Sequence, residues 1–235
     1  MEKTRKDMVG EVLTRESLES YWDQVAREHG TGRAIGINLV TPIDLIHSNP
    51  GVASFMAFLP LYMVATFHKC QRCGACCRPN FRAWDKGVIL SRDEALALRD
   101  YARITKRSGQ QMLKYPCSLL KENNTCRHYH LRPYGCRLFP FTAIEDAESG
   151  QINRGIIMTC PAARELYVTA QLFIQDWYNF LEKSRRQGKQ RFDISDLEEL
   201  KKKYQFNEVD EKDLEYMKEL ARDPYRGVRQ LRPQA

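Results

Sequence analysis

The stretch "KCQRCGACCRPN", Lys69–Asn80, places four thiols within eight positions, at Cys70, Cys73, Cys76 and Cys77. All eight cysteines of the 235-residue chain lie between Cys70 and Cys160. The N-terminus has no apolar run behind basic residues, so we expect no secretory signal and a cytoplasmic location. Because thiols stay reduced in the cytosol, the clustering indicates a metal site or redox chemistry rather than disulfides.

Helical patterns surround this cysteine-rich stretch. Thr14 and Gly30 bound an expected helix with Leu18, Trp22 and Val25 at helical spacing. A capping box of Ser91 with Glu94 predicts a helix over residues 91–105, and a long helix is expected over 161–188. The apolar face of the long helix contains Leu166, Ala170, Phe173, Trp177 and Leu181.

These patterns predict a fold that is mainly α, with a small irregular α+β cysteine-rich metal-binding module and helices packed around the metal site. We divide the chain into an N-terminal helical region (1–66), the cysteine-cluster module (67–162) and a C-terminal helical region (163–235), together one compact unit. Within the module, residues 123–125 predict a hairpin tip and residues 151–160 a short strand leading into Cys160.

The spacing of the thiols favours an iron–sulfur cluster. Soft thiolates select zinc, copper(I) or iron–sulfur units. C-x2-C-x2-C followed by a distant Cys-Pro is the ligand run of bacterial ferredoxins, and Cys160 precedes Pro161 here. Cys136 is an alternative fourth ligand. Zinc remains open, because Cys70 and Cys73 form a knuckle-like pair that Cys117, Cys126 and Cys136 could complete.

The doubled cysteine raises the possibility of two sites. Neighbouring side chains of an extended segment point to opposite sides, so Cys76 and Cys77 can serve different sites. The eight thiols then divide into four and four, with Cys77 joining Cys117, Cys126 and Cys136. One site with several bystander thiols is the alternative. His68, His128 and His130 are further candidates, as ligands, surface residues or proton donors.

The complete pattern resembles the CxxCxxCC zinc- or iron-chelating domain family, also called YkgJ-like cysteine cluster proteins. The resemblance covers the four leading thiols, the Pro-Cys pair at Cys117, the run "CRHYHLRPYGCRLFPF" from Cys126 to Phe141, and Cys160. His128 stands where an aliphatic residue is usual. The resemblance implies that all eight cysteines are metal ligands: Cys70, Cys73, Cys76, Cys77, Cys117, Cys126, Cys136 and Cys160.

The same motif contains Arg132 and Arg137, which the resemblance implies as cofactor-binding residues. We expect them to stabilise an anionic cluster or to bind carbonyls of the ligand loops, with an anionic substrate as the alternative. A similar module occurs in flagellin lysine methylases that use S-adenosylmethionine. No glycine-rich nucleotide loop supports methyl transfer here.

Three functions therefore compete. The first is a metal-binding protein holding an iron–sulfur cluster, expected to be [4Fe–4S], in a structural or electron-transfer role. The second is an enzyme that uses the cluster or mononuclear iron to modify a protein or peptide, and the third is a zinc-stapled interaction module. The net charge of +7 fits nucleic acid, an acidic partner, an anionic ligand or simply a solvated basic surface. Among partners, we expect an acidic or redox protein rather than nucleic acid. The longest apolar stretch, residues 52–67, is too short to span a membrane.

Overall fold

The computed structural model describes residues 13–32, 34–37, 62–64, 66–78, 87–107, 109–145, 152–187 and 203–204. The helices are α1 (Arg15–His29), α2 (Arg92–Leu98), α3 (Tyr134–Leu138) and α4 (Ala163–Arg186). The strands are β1 (Ala34–Gly36), β2 (Val88–Leu90), β3 (Ile104–Arg107), β4 (Gln110–Leu113), β5 (Phe141–Glu145) and β6 (Ile152–Ile157). Two 3-10 turns span Ala75–Cys77 and Tyr129–Leu131.

The first sheet joins the N-terminal region to the end of the cysteine module. Its order is β1-β6-β5, and both pairings are antiparallel. Ile35 of β1 and Phe141 of β5 both lie opposite Ile156 of β6. All three side chains are buried, so this row of residues contributes to one hydrophobic core. The centre of the sheet is thus the strand that leads to Cys160.

Helices α1 and α4 complete this first core. The predicted apolar face of α4 is confirmed, since all five of its side chains are buried. Leu18 and Trp22 of α1 pack into the same core, where the Trp22 and Tyr167 rings are 5.5 Å apart. At the surface, Arg15 forms two hydrogen bonds of 3.0 Å with the Glu165 carboxylate. The exposed ion pair adds little energy, so apolar burial holds the helices together.

The second sheet has the order β2-β4-β3 and lies within the cysteine module. It packs with α2 into a separate, smaller core that includes Val88, Leu98, Leu113 and Leu119. The capping box of α2 is confirmed, because Ser91 and Glu94 exchange hydrogen bonds between side chain and backbone. The described residues therefore form two separate hydrophobic cores, and each of them contains a cysteine.

The predicted fold class is wrong. The chain is a mixed structure with two small three-stranded antiparallel sheets, rather than mainly helical with helices packed around a metal site. The expected helix over 91–105 ends at Leu98, and β3 begins at Ile104. The hairpin between β3 and β4 turns at Gly109, whose φ of 78° is left-handed. Strands of three to six residues give too short a polar–apolar alternation to predict reliably.

Other sequence predictions have separate outcomes. Thr14 caps α1 and Gly30 ends it, as predicted. The strand expected before Cys160 is confirmed as β6, and the 123–125 tip lies in a short hairpin. Two prolines in residues 41–51 also predict turns around a short helix, and residues 195–206 and 210–224 each predict a helix. These three segments lie outside the described residues, apart from residues 203–204. Among the described residues, no helix combines the length and apolarity that crossing a bilayer requires.

Candidate metal centre

One cavity of about 600 Å³ collects the thiols of the chain. The cavity is lined by the loop before the first 3-10 turn, the 117–126 hairpin, helix α3 and the segment after β6 that contains Cys160. No disulfide joins the cysteines, which are all free. The cavity is lined by every cysteine predicted as a ligand: Cys70, Cys73, Cys76, Cys77, Cys117, Cys126, Cys136 and Cys160.

The first ligand loop depends on left-handed backbone conformations. Arg72 has a φ of 52° and Gly74 a φ of 71°. The second of these leads into the 3-10 turn Ala75–Cys77, where the Cys77 N–H donates to the Gly74 carbonyl over 3.0 Å. A Cβ at residue 74 would lie 3.2 Å from Asn124 Oδ1. Glycine therefore lets the loop reverse direction while it packs against the hairpin.

The hairpin holds Cys117 and Cys126 close to this loop. Lys121 donates its N–H to the Thr125 carbonyl over 2.9 Å, which closes the hairpin. The Cys117 N–H donates to the Cys77 carbonyl over 2.9 Å, so backbone hydrogen bonding joins the two ligand segments directly. The Arg78 guanidinium also donates to the Asn124 side chain at the hairpin tip.

Helix α3 presents Cys136, and a carboxylate from another element fixes its first turn. Glu94 accepts the Ser91 N–H with one oxygen over 2.8 Å. Its other oxygen accepts the N–H of Tyr134 at the start of α3 over 2.6 Å. The capping carboxylate of α2 thereby positions the helix that carries a predicted ligand.

The two motif arginines contact backbone and ring atoms of the ligand segments. Arg137 donates to the Arg132 carbonyl over 2.9 Å and to the His130 carbonyl over 3.0 Å. Arg132 donates from Nε to the Tyr129 carbonyl over 3.1 Å, and its guanidinium lies 3.5 Å from the centroid of the Tyr129 ring. Arg132 lines the cavity, where its charge favours thiolates.

In the segment that follows β6, Cys160 Sγ lies 3.4 Å from His68 Nε2. Burial, with the charge of Arg132, lowers the pKa of His68 to about 4, so its imidazole is neutral at pH 7. Burial raises the pKa of Cys160 to about 11, and the nearby Cys73 and Cys70 thiols add to this shift. His68 is thus a neutral partner for this thiol, either as a hydrogen-bond donor or as a second ligand.

Three of the thiols that line the cavity form a hydrogen-bonded group. Cys76 Sγ and Cys77 Sγ are 3.9 Å apart, and Cys77 also interacts with Cys117. Hydrogen bonding by the Cys77 thiol lowers the pKa of Cys76 and of Cys117 to about 7, while the pKa of Cys77 is raised. Burial raises the pKa of Cys136 well above its usual range. The group is partly ionised near neutral pH, which suits binding of a cation.

The thiols surround the cavity without converging on one point. No three His, Cys, Asp or Glu side chains in the part of the chain that the structure describes lie close enough together to chelate an ion in this conformation. The donor chemistry nevertheless fits a soft metal, since eight thiols and one imidazole face the same space. Binding therefore requires the thiols to move towards a metal, which couples ligation to loop ordering.

The structure separates the histidines that sequence left as equal candidates. Of the three histidines, His68 alone is among the described residues that line the cavity. His128 instead stacks on Tyr101, with 4.3 Å between ring centroids. The sequence did not predict that Asn124 accepts a hydrogen bond from Arg78, or that Glu94 accepts one from the first residue of α3. The capping box predicts a partner for one oxygen of Glu94, whereas the partner of the other oxygen, Tyr134, lies 40 residues away in the sequence.

Comparison with protein families matches residues 69–160 to the CxxCxxCC family, described as a "putative zinc- or iron-chelating domain". The match covers 92 of the 235 residues, which is less than half of the chain. It confirms the resemblance drawn from the cysteine and Arg-Pro motifs, and it supports metal binding by this segment. Comparison with curated proteins finds no match, and neither does comparison with solved structures.

Proposed function

We propose that the CxxCxxCC domain holds a [4Fe–4S] cluster and transfers single electrons in the cytoplasm. The observation that carries this proposal is that all eight free thiols line one cavity. Such a cluster supplies one-electron redox chemistry when it is bound. Three ligands would be Cys70, Cys73 and Cys76, whose spacing is that of ferredoxin loops, and the fourth would be Cys160.

The burial of these four residues supports electron transfer over a purely structural role. Cys160 is buried beside the first core, whereas Cys70 is exposed and Cys73 half-buried. One side of the group is therefore shielded from water, and the other is close to the surface. Electron transfer to a protein partner needs such a short path, while the shielded side limits the access of water and oxygen to a bound cluster.

The charge of the domain supports an acidic redox partner. Residues 69–160 contain sixteen Lys and Arg but eight Asp and Glu, so the domain accounts for the positive charge of the chain. Arg132 lies at the cavity and Tyr129 beside it is half exposed. We propose that this basic surface attracts the partner and offsets the negative charge of a thiolate-bound cluster.

Elemental and sulfide analysis of protein purified without oxygen tests the proposal. We expect about four iron and about four acid-labile sulfide per chain, with reversible one-electron reduction. Oxygen-free protein that contains zinc at stoichiometric level and no sulfide would refute the cluster. A cluster that dithionite cannot reduce and ferricyanide cannot oxidise would refute electron transfer while leaving the cluster in place.

A further inference from the structure

We infer that the eight thiols form two independent sites, and that the second binds a single zinc-type divalent ion. This inference rests on the proposed metal binding by these cysteines. Set A consists of Cys70, Cys73, Cys76 and Cys160. Set B consists of Cys77, Cys117, Cys126 and Cys136.

The two hydrophobic cores divide the thiols in this way. Cys160 belongs to the first core, together with the first sheet, α1 and α4. The second core contains Cys117, and three further thiols pack against its residues. Those three are Cys77, Cys126 and Cys136, the other members of set B. No set A thiol is part of the second core, so the two cores separate Cys160 from the four thiols of set B.

Backbone hydrogen bonds join members of set B, and in set A Cys160 Sγ lies 3.4 Å from His68 Nε2. In set B, the Cys117 N–H donates to the Cys77 carbonyl, and the hairpin that starts at Cys117 returns to Cys126. The sets come together at Cys76 and Cys77, where the two sulfurs are 3.9 Å apart.

The surroundings of set B are those of a closed structural ion site. Its four thiols are buried or half-buried, and Leu113 and Leu119 of the second core line the same cavity. The hairpin and α3 fix three of the ligands on short, hydrogen-bonded segments. Four thiolates with no open position bind Zn²⁺ tetrahedrally, and such a site adds folding energy.

The adjacent cysteines provide a matched pair of variants. Cys76→Ser and Cys77→Ser make the same chemical change at neighbouring positions. Metal-free protein is loaded with Zn²⁺ in oxygen-free buffer, and the unprotected thiols are then mapped by alkylation and mass spectrometry. We expect the Cys76→Ser variant to leave the other set A thiols reactive and protect set B, and Cys77→Ser to do the opposite. The same unprotected thiols in both variants would overturn the division.

Because Cys77 packs against a core, its variant can fail to fold, and wild-type protein then gives the answer. Native mass spectrometry selects the species with one Zn²⁺, and alkylation shows which thiols it protects. We expect set B, whose segments are the better ordered by hydrogen bonds, to be protected first. A one-zinc species that protects thiols of both sets would contradict the inference. Zinc mapping uses neither iron nor sulfide, so it can succeed where the cluster proposal fails, and the reverse.

Discussion

Gly74→Ala tests whether the first ligand loop must adopt the conformation described here to bind metal. Gly74 has a φ of 71°, and a left-handed conformation costs an L-residue about 1–2 kcal/mol. The new Cβ would also lie 3.2 Å from Asn124 Oδ1 and 3.3 Å from Leu120 Cδ1. Overpacking of this kind adds about 1 kcal/mol. We therefore expect a total strain of about 2–3 kcal/mol.

This strain should appear as lost metal affinity. The metal-free loop can relax, whereas the metal-bound loop has to keep its cysteines in place. Since about 1.4 kcal/mol corresponds to a tenfold change, we expect Zn²⁺ to dissociate about 30- to 150-fold more readily from the Gly74→Ala variant. Competition with a chromophoric zinc chelator in oxygen-free buffer measures this change.

Gly109→Ala is the matched control. Gly109 has a similar φ of 78°, but a Cβ there meets nothing within 4 Å, and it lies in the β3–β4 turn, outside the cavity lining. Its variant should lose about 1–2 kcal/mol of unfolding free energy and keep wild-type zinc affinity. The reasoning is refuted if Gly74→Ala binds zinc within twofold of wild type, or if both variants lose affinity equally.

Two further predictions concern charge and protons at the thiols. Removing the cation in Arg132→Gln should raise the pKa of Cys76, because the charge of Arg132 lowers that pKa in the folded protein. The pH profile of Cys76 alkylation in metal-free protein measures the shift. The control variant Arg99→Gln, at the exposed end of α2, should leave the pKa of Cys76 unchanged. Zinc affinity should fall as the pH is lowered through about 7, because Cys76 and Cys117 have a pKa of about 7 and must be deprotonated to bind. Calorimetry in buffers of different ionisation enthalpy counts the released protons, and an affinity that does not change between pH 8 and pH 6 would contradict this assignment.

Sequence was most informative where a signal is local. Helix caps at Thr14 and Ser91 depend on residues three positions apart, and the apolar face of α4 repeats over 24 residues. The cysteine spacing likewise identified the family. The caps, the apolar face and each part of the cysteine motif can be read from sequence spacing alone, so no knowledge of distant contacts is needed.

The sheets and the division of the site depend on distant partners. β1 is only three residues long, and it pairs with β6, more than 100 residues further along the chain. The approach of His68 to Cys160 spans 92 positions, and the bond from Tyr134 to Glu94 spans 40. Propensity says nothing about such pairings, because they are decided by packing in the folded chain. From the sequence alone, His68, which contacts Cys160, could therefore not be distinguished from His128 and His130.

The pairing of β1 with β6 also limits how the metal-binding segment can be separated from its neighbours. Residues 69–160 contain every cysteine, yet Ile35 of β1 and the buried face of α4 lie outside them. Cutting the chain at the family boundaries would remove an edge strand and the helix that packs in the first core. The remaining core residues around Cys160 would then be exposed to water. We therefore expect the smallest piece that folds around its thiols to be larger than the segment that matches the family. Recombination that moves only this segment between proteins would need a new scaffold to supply the missing strand and helix.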